Sequence, residues 1–251
     1  MDMQFRDYFV ERWSKHFPGA ELPLTFYYSD DVGQAMIVES PKEWRCLVCE
    51  LGRVRHGESL AFTAEAITCA GGKCYSGFSQ QLRSNFEYFL SYGIEGKMEG
   101  ERYKKSPELV REHLRRHPPF VAPAKYLVCK RWDNLDENDR PLIAVFFATA
   151  DVLSGLFTLA NFDEPSSLGV IAPFGAGCAS IIYYPYLEGE SEHPRAVLGM
   201  FDVSARPCVK PGQLTLAIPW EKFKTMVKNM DESFLITESW RKVRERIAAQ
   251  L

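Results

Sequence analysis

The sequence lacks any apolar run approaching the roughly eighteen residues that a membrane-spanning helix needs, so no membrane partner is expected. It also lacks a basic, then apolar, leader: Met1-Asp2-Met3-Gln4-Phe5-Arg6-Asp7 carries acids where a secretory signal needs cations, and a cytoplasmic location is the expectation. Charge of one sign is scarce as well. A net charge of −3 creates no strong field, which argues against a nucleic-acid partner. There is no Gly-Lys-Ser/Thr ending a glycine run and no strand followed by Gly-x-Gly-x-x-Gly, so neither phosphate loop nor dinucleotide fingerprint is present. The five histidines stand in helix ends or polar loops and read as surface residues.

What is present is an ordinary globular composition. Hydrophobic residues at 46% and charged residues at 25% exclude disordered and collagen-like classes, and 251 residues suffice for one well-filled core. Seven cysteines (Cys46, Cys49, Cys69, Cys74, Cys129, Cys178 and Cys208) form an odd, dispersed set, unlike a disulfide scaffold, and free thiols are expected.

Hydrophobic periodicity predicts a first amphipathic helix over 3–17, carrying Phe5, Phe9, Trp13 and Phe17 on one face. Strands follow at 22–29 and 35–39, as a hairpin or two neighbours, then a helix over 41–55, a strand over 59–66 and a helix over 75–89. Residues 90–122 form a charged helical insertion with one helix near 108–116. The second half predicts strands at 126–132 and 142–149, a helix at 151–160, a strand at 168–172 and a helix starting at 179. Strands at 195–201 and 213–218 and C-terminal helices within 220–250 complete the chain. The expected fold is α+β: a single domain over 1–251 with mixed sheet and flanking helices.

Two stretches invite comparison. Ile37-Val38-Glu39-Ser40, helix, strand and Gly71-Gly72-Lys73-Cys74 parallel Val145-Phe146-Phe147-Ala148, helix, strand and Gly175-Ala176-Gly177-Cys178. This reads as a diverged internal duplication with halves at about 20–89 and 126–184. Glycines that open a helix let backbone N–H groups converge on an anion or thiolate, which makes Cys69, Gly71, Gly72, Lys73, Cys74, Gly175, Gly177 and Cys178 candidates for one ligand-binding cleft. Cys74 and Cys178 are expected near helix starts, with lowered thiol pKa. Arg206, in a turn after a strand, suits bidentate capture of a carboxylate or phosphate, so a small anionic ligand is the expected partner. The plain alternative is that the glycines permit tight turns and the cysteines pack beneath them.

A second reading uses sulfur as metal ligand. Cys46-x-x-Cys49 with Cys69-x4-Cys74 has the arithmetic of a four-thiolate site, although 44–51 reads as continuous helix rather than the turn of a zinc knuckle. Cys46, Cys69 and Cys178 are the metal or iron–sulfur candidates. A third reading is an interaction protein or homodimer using Tyr183, Tyr184 and Tyr186 as exposed aromatics.

Cys46 through Gly57-Glu58, Cys69-Ala70-Gly71-Gly72, Gly177-Cys178-Ala179, Ser204-Ala205-Arg206 and Leu216-Ala217-Ile218-Pro219 occur in an order that resembles the bacterial and archaeal family called domain of unknown function 169, over roughly residues 20–235. The resemblance implies that Cys46, Cys69, Cys178 and Arg206 match recurrent family positions. It implies no reaction, so enzyme and binding protein stay open and no cofactor is named.

Overall fold

The computed structural model describes residues 1–249; residue 250, the last of the expected C-terminal helical stretch, lies outside them. In chain order the elements are α1 (Met3–His16), β1 (Leu24–Ser29), β2 (Met36–Ile37), α2 (Leu47–Arg55), β3 (Leu60–Phe62), α3 (Ala70–Tyr75), α4 (Phe86–Phe89), α5 (Pro107–Arg115), β4 (Tyr126–Arg131), β5 (Ile143–Ala148), α6 (Ala150–Ala160), β6 (Val170–Ile171), a π-helical turn (Ala179–Tyr183) running into α7 (Tyr184–Gly189), β7 (Ala196–Gly199), β8 (Leu214–Pro219), α8 (Trp220–Asn229) and α9 (Glu238–Ala248). Among the described residues the strands make one mixed sheet in the order β2-β3-β4-β1-β5-β8-β7-β6. Its edge pairs β2–β3 and β6–β7 are parallel and all inner pairs antiparallel, so the sheet reads the same from either edge.

Alternation along the strands sets three layers. Ile143, Val145 and Phe147 of β5 point to one face, with Leu24, Phe26, Leu127, Cys129 and Ala217, and there meet α2 and the π-helical turn. Ala144, Phe146 and Ala148 point to the other, with Leu216 and Ile218, and meet α1, α6, α8 and α9. On that second face Phe9 and Trp13 of α1 pack around Trp132, Phe146 and Phe223. Both faces are buried, and that is why β4, β5 and β8 read as near-continuous apolar runs.

Several expected elements shift. The stretch 22–29 and the stretch 35–39 are not a hairpin: β1 lies at the centre of the sheet and β2 at its edge. The helix expected over 41–55 begins only at Leu47, because Cys46 holds extended backbone (φ −76, ψ 127) and caps it, and the Arg45 N–H is spent on Thr68 Oγ1. The helix expected over 75–89 is replaced by α3, which ends at Tyr75, and the short α4. Gly77 breaks the path at φ +78, where a Cβ would meet Ala122 N at 2.5 Å. Strand order equates β2 with β6 and β3 with β7, so the two glycine corners follow non-equivalent strands and the expected pairing of Gly71–Cys74 with Gly175–Cys178 is not reproduced.

One buried ion network fixes the loop after β4. Lys130, 1% exposed, donates to Asp139 at 2.8 Å and to Asp136 at 3.0 Å, while the Tyr27 hydroxyl donates to Asp139. Truncating Lys130 strands the Asp139 carboxylate in the interior. Lys130→Ala is therefore expected to cost about 3–5 kcal/mol by urea denaturation; a cost below about 1 kcal/mol would mean that water satisfies Asp139 as well as the ammonium does.

Candidate functional site

On the face covered by α2, four connections end close together. Cys46 caps α2; Cys69 caps α3, its sulfur accepting from the Gly72 N–H at 3.4 Å; Cys178 opens the π-helical turn; and residues 201–205 leave β7. They enclose a cavity of about 270 Å³ lined by Cys46, Cys69, Cys178, Gly71, Gly175 and Gly177. Phe86, Phe89, Phe174 and Phe201 supply apolar walls, and Arg83, Glu101, His113 and Asp202 supply the charged or titratable groups. Leu90, Glu101, Tyr103 and His113 come from the charged stretch 90–122, which thus borders the cleft.

Close backbone approach makes the second corner. A Cβ on Gly177 would come within 3.0 Å of Ala205 Cβ and Met200 Sδ and 3.3 Å of Val48 Cγ2, so only glycine lets this turn touch both α2 and the loop after β7. The Gly177 N–H donates to Asp202 Oδ2 at 2.9 Å, and Ser204 donates to the other carboxylate oxygen through its N–H and its hydroxyl. Asp202 is therefore a clamp between corner and loop. The Ser180 hydroxyl donates to Gly177 O at 2.8 Å and accepts from the Met200 N–H at 3.3 Å, securing the same junction from beneath.

Of the residues singled out in the sequence, the structure gathers Cys69, Gly71, Gly175, Gly177 and Cys178 around one cavity and leaves Gly72, Lys73, Cys74 and Arg206 outside its lining. Gly72 is a packing residue, buried against Ile67 and Leu47. Arg206 donates to the carbonyls of Gln213 at 2.6 Å and Met200 at 3.4 Å, closing the loop between β7 and β8. Cys74 lies in the last turn of α3, not at a helix start. Of the tyrosines expected at an interface, Tyr183 is buried and donates to Pro118 O, while Tyr184 and Tyr186 are half-buried, the first donating to Phe174 O at 3.1 Å and the second sitting on Phe120.

The expectation of lowered thiol pKa values is overturned. Burial pushes the Cys178 thiol well above its ordinary range, and Cys69, Cys46 and Asp202 add to the effect. Burial also raises Cys46, against the pull of the Cys49 and Val48 N–H groups, and raises Cys74. A helix end contributes only about 0.3–1 kcal/mol, less than the cost of taking a thiolate out of water.

The expectation of free thiols fails at two positions. Cys49 in the first turn of α2 and Cys208 at the end of the 3₁₀ turn Arg206–Cys208 are joined as a disulfide across 159 residues. Such a pair has no local signal in the sequence; only the fold brings the loop after β7 onto α2. The sulfurs of Cys46, Cys49 and Cys208 all lie within 4.8 Å of one another. Cys46 belongs to the cleft, whereas Cys208 lines a broader depression of about 760 Å³ on its other side, where the Arg55 guanidinium is held by Glu21 and Gln213.

His113 was missed in the sequence, although its spacing of four from His117 was visible there. Their rings meet edge to face at 4.4 Å; His117 Nδ1 is 2.7 Å from His113 O and its Nε2 is 2.7 Å from the Tyr184 hydroxyl. Burial, then repulsion from His117 and Lys104, brings His113 down to about 4, so it offers the cleft a neutral imidazole. The unfolded chain binds that proton at the ordinary histidine pKa near 6.5. The stabilising contribution is thus complete above that pH and is lost as pH falls from about 6.5 toward 4. Urea midpoints measured across this window should fall more steeply for the natural protein than for His113→Gln; parallel curves would contradict a half-buried imidazole held neutral by desolvation.

Among the described residues no helix is long and apolar enough to cross a membrane. Neither the curated proteins nor the solved structures hold a match to the chain. A family model does match it, over residues 21–229, which include every cysteine and all eight strands. The chain belongs to the family called domain of unknown function 169, described as an uncharacterised ArCR family.

Proposed function

We propose that the protein binds a compact, largely apolar molecule carrying one polar or anionic edge in the cleft bounded by Cys46, Cys69 and Cys178. The observation that carries this reading is that both glycine corners, reached from different strands, contribute to one cavity of about 270 Å³ whose largely apolar wall includes several aromatic rings. Concave, apolar sites with a few convergent polar groups are the usual form of small-molecule sites, and this volume sits near their lower limit of about 300 Å³. A flat apolar molecule fits this lining better than a phosphate does.

Lys73 and Arg206 do not serve as the anion's partner in this reading. Arg83 takes that part: its guanidinium lies 3.8 Å above the Phe89 ring and borders the cavity, where it would meet a carboxylate edge. His113 would donate or accept one hydrogen bond without carrying charge. Cys69 and Cys178 would present soft, polarisable surface; the raised pKa of Cys178 favours binding over nucleophilic attack there. The palindromic strand order also supports the proposal of an ancient duplication, with β2-β3-β4-β1 matched to β6-β7-β8-β5 rather than corner to corner.

Gly71 provides the test, because a Cβ there meets nothing closer than 3.9 Å and its backbone is ordinary helix. Gly71→Phe should fill the cleft while changing stability by no more than about 1 kcal/mol. Native mass spectrometry of freshly purified protein is expected to show a bound small molecule that the variant loses. An apolar fluorescent probe should bind the variant about tenfold or more weakly, a difference of about 1.4 kcal/mol. Equal probe affinity in the two proteins would contradict the reading.

A further inference from the structure

Three sulfurs stand together where two would make a bridge. Cys46 and Cys49 straddle the start of α2, and Cys208 arrives from the loop after β7, with all three sulfur atoms within 4.8 Å of one another. A purely structural disulfide gains nothing from a third thiol beside it, since that thiol is placed to attack and shuffle the bond. A soft cation, in contrast, needs three or four thiolates converging from different segments. The sequence objection to a metal here was that Cys46-x-x-Cys49 lies in continuous helix. That objection does not hold: Cys46 has extended backbone, so the pair spans a turn into a helix, the arrangement in which two sulfurs at this spacing converge.

We propose that in the reduced protein Cys46, Cys49 and Cys208 form a three-thiolate site for a soft divalent cation of the zinc class, and that the Cys49–Cys208 disulfide is the oxidised, metal-free state of the same site. Three protein ligands leave a fourth tetrahedral position for water or an exogenous ligand, the pattern of exchangeable rather than closed structural sites. Cys49 is exposed and Cys46 borders the cleft, so that position is reachable. Cys69 and Cys178, the other residues of the metal set expected from sequence, remain cleft lining.

The redox step balances with a small-molecule disulfide as oxidant. The Cys49 thiolate attacks one sulfur of the oxidant, forming a mixed disulfide and releasing one thiolate. Cys208 then attacks the Cys49 sulfur, the mixed bond breaks and a second thiolate leaves. Two electrons pass from the protein sulfurs to the oxidant, the cation loses two ligands and departs, and Cys46 takes a proton from solvent. A dithiol reductant reverses the sequence.

The proposal stands independently of the ligand cleft, and the full-length protein tests it. Protein reduced and freed of reductant without oxygen is titrated with cobalt(II), a probe for zinc-class sites. The expected result is a thiolate-to-cobalt charge-transfer band saturating at about one equivalent and abolished by zinc. Cys46→Ser, Cys49→Ser and Cys208→Ser should each weaken binding by more than about 100-fold, exceeding the loss typical of an outer-shell change, while Cys69→Ser and Cys178→Ser keep it. Adding a small disulfide should release the cobalt with loss of two thiols. Should a serine variant fail to fold, peptide-level alkylation of the natural protein decides instead: zinc is expected to protect Cys46, Cys49 and Cys208 and not Cys69. Absence of the band in reduced protein with native near-ultraviolet dichroism would overturn the proposal, as would abolition by Cys69→Ser or Cys178→Ser, or zinc protection that leaves Cys208 reactive. The Gly71→Phe variant should bind cobalt normally, which separates failure of this site from failure of the cleft.

Discussion

The contact of the Gly177 corner with the first turn of α2 is the constraint on which the site depends. The connections leaving β2 and β6 both cover the same face of the sheet, and their apolar residues, Leu47, Val48 and Leu51 from one and Ala179, Ile181 and Ile182 from the other, share one buried cluster. Burial of those side chains, each worth about 1.5–3 kcal/mol for the larger ones, draws the two helix starts together. The absence of a side chain at Gly177 permits the final approach to Val48, Met200 and Ala205. Cys46 and Cys178 then border one cavity because each immediately precedes a helical turn pressed into that contact.

Competition between burial and the helix start decides what the sulfurs are suited to. Near a helix N-terminus in water a thiolate is favoured; here the same packing that assembles the cleft removes Cys178 from solvent, and desolvation prevails. Cys178 in consequence offers the cleft a protonated, polarisable sulfur. Chemistry of thiolates belongs instead to the neighbouring cluster, where Cys49 faces solvent and Cys208 reaches it from the opposite side of the wall. One sheet face thus carries two groups of sulfurs, with the half-buried Cys46 shared between them.

Long, periodic elements were legible in the sequence. Phe9, Trp13 and Phe17 announced α1, the apolar runs of β4, β5 and β8 announced buried strands, and Cys178 before Ala179 announced a helical start. The shared cleft was legible in part, because glycine beside cysteine marked both Cys69–Gly71 and Gly177–Cys178. The misread parts have physical causes. Gly71 and Gly72 lie inside α3 rather than before a helix, since a cysteine cap at Cys69 can begin a helix that glycine then occupies. Arg206 looked like an anion receptor because its donors to the Gln213 and Met200 carbonyls depend on a loop closure that no local pattern encodes. Cys49 with Cys208, and the arrival of Tyr103 and His113 over the cavity, are long-range contacts of the same kind.

The convergence of α2 with the loop after β7 is tested most directly by peptide mapping of the native protein after brief exposure to a mild thiol oxidant. A linkage joining the peptide that carries Cys46 and Cys49 to the peptide that carries Cys208, formed ahead of any other, is the predicted result. A first linkage between Cys69 and Cys74, or between Cys49 and either of them, would contradict the account.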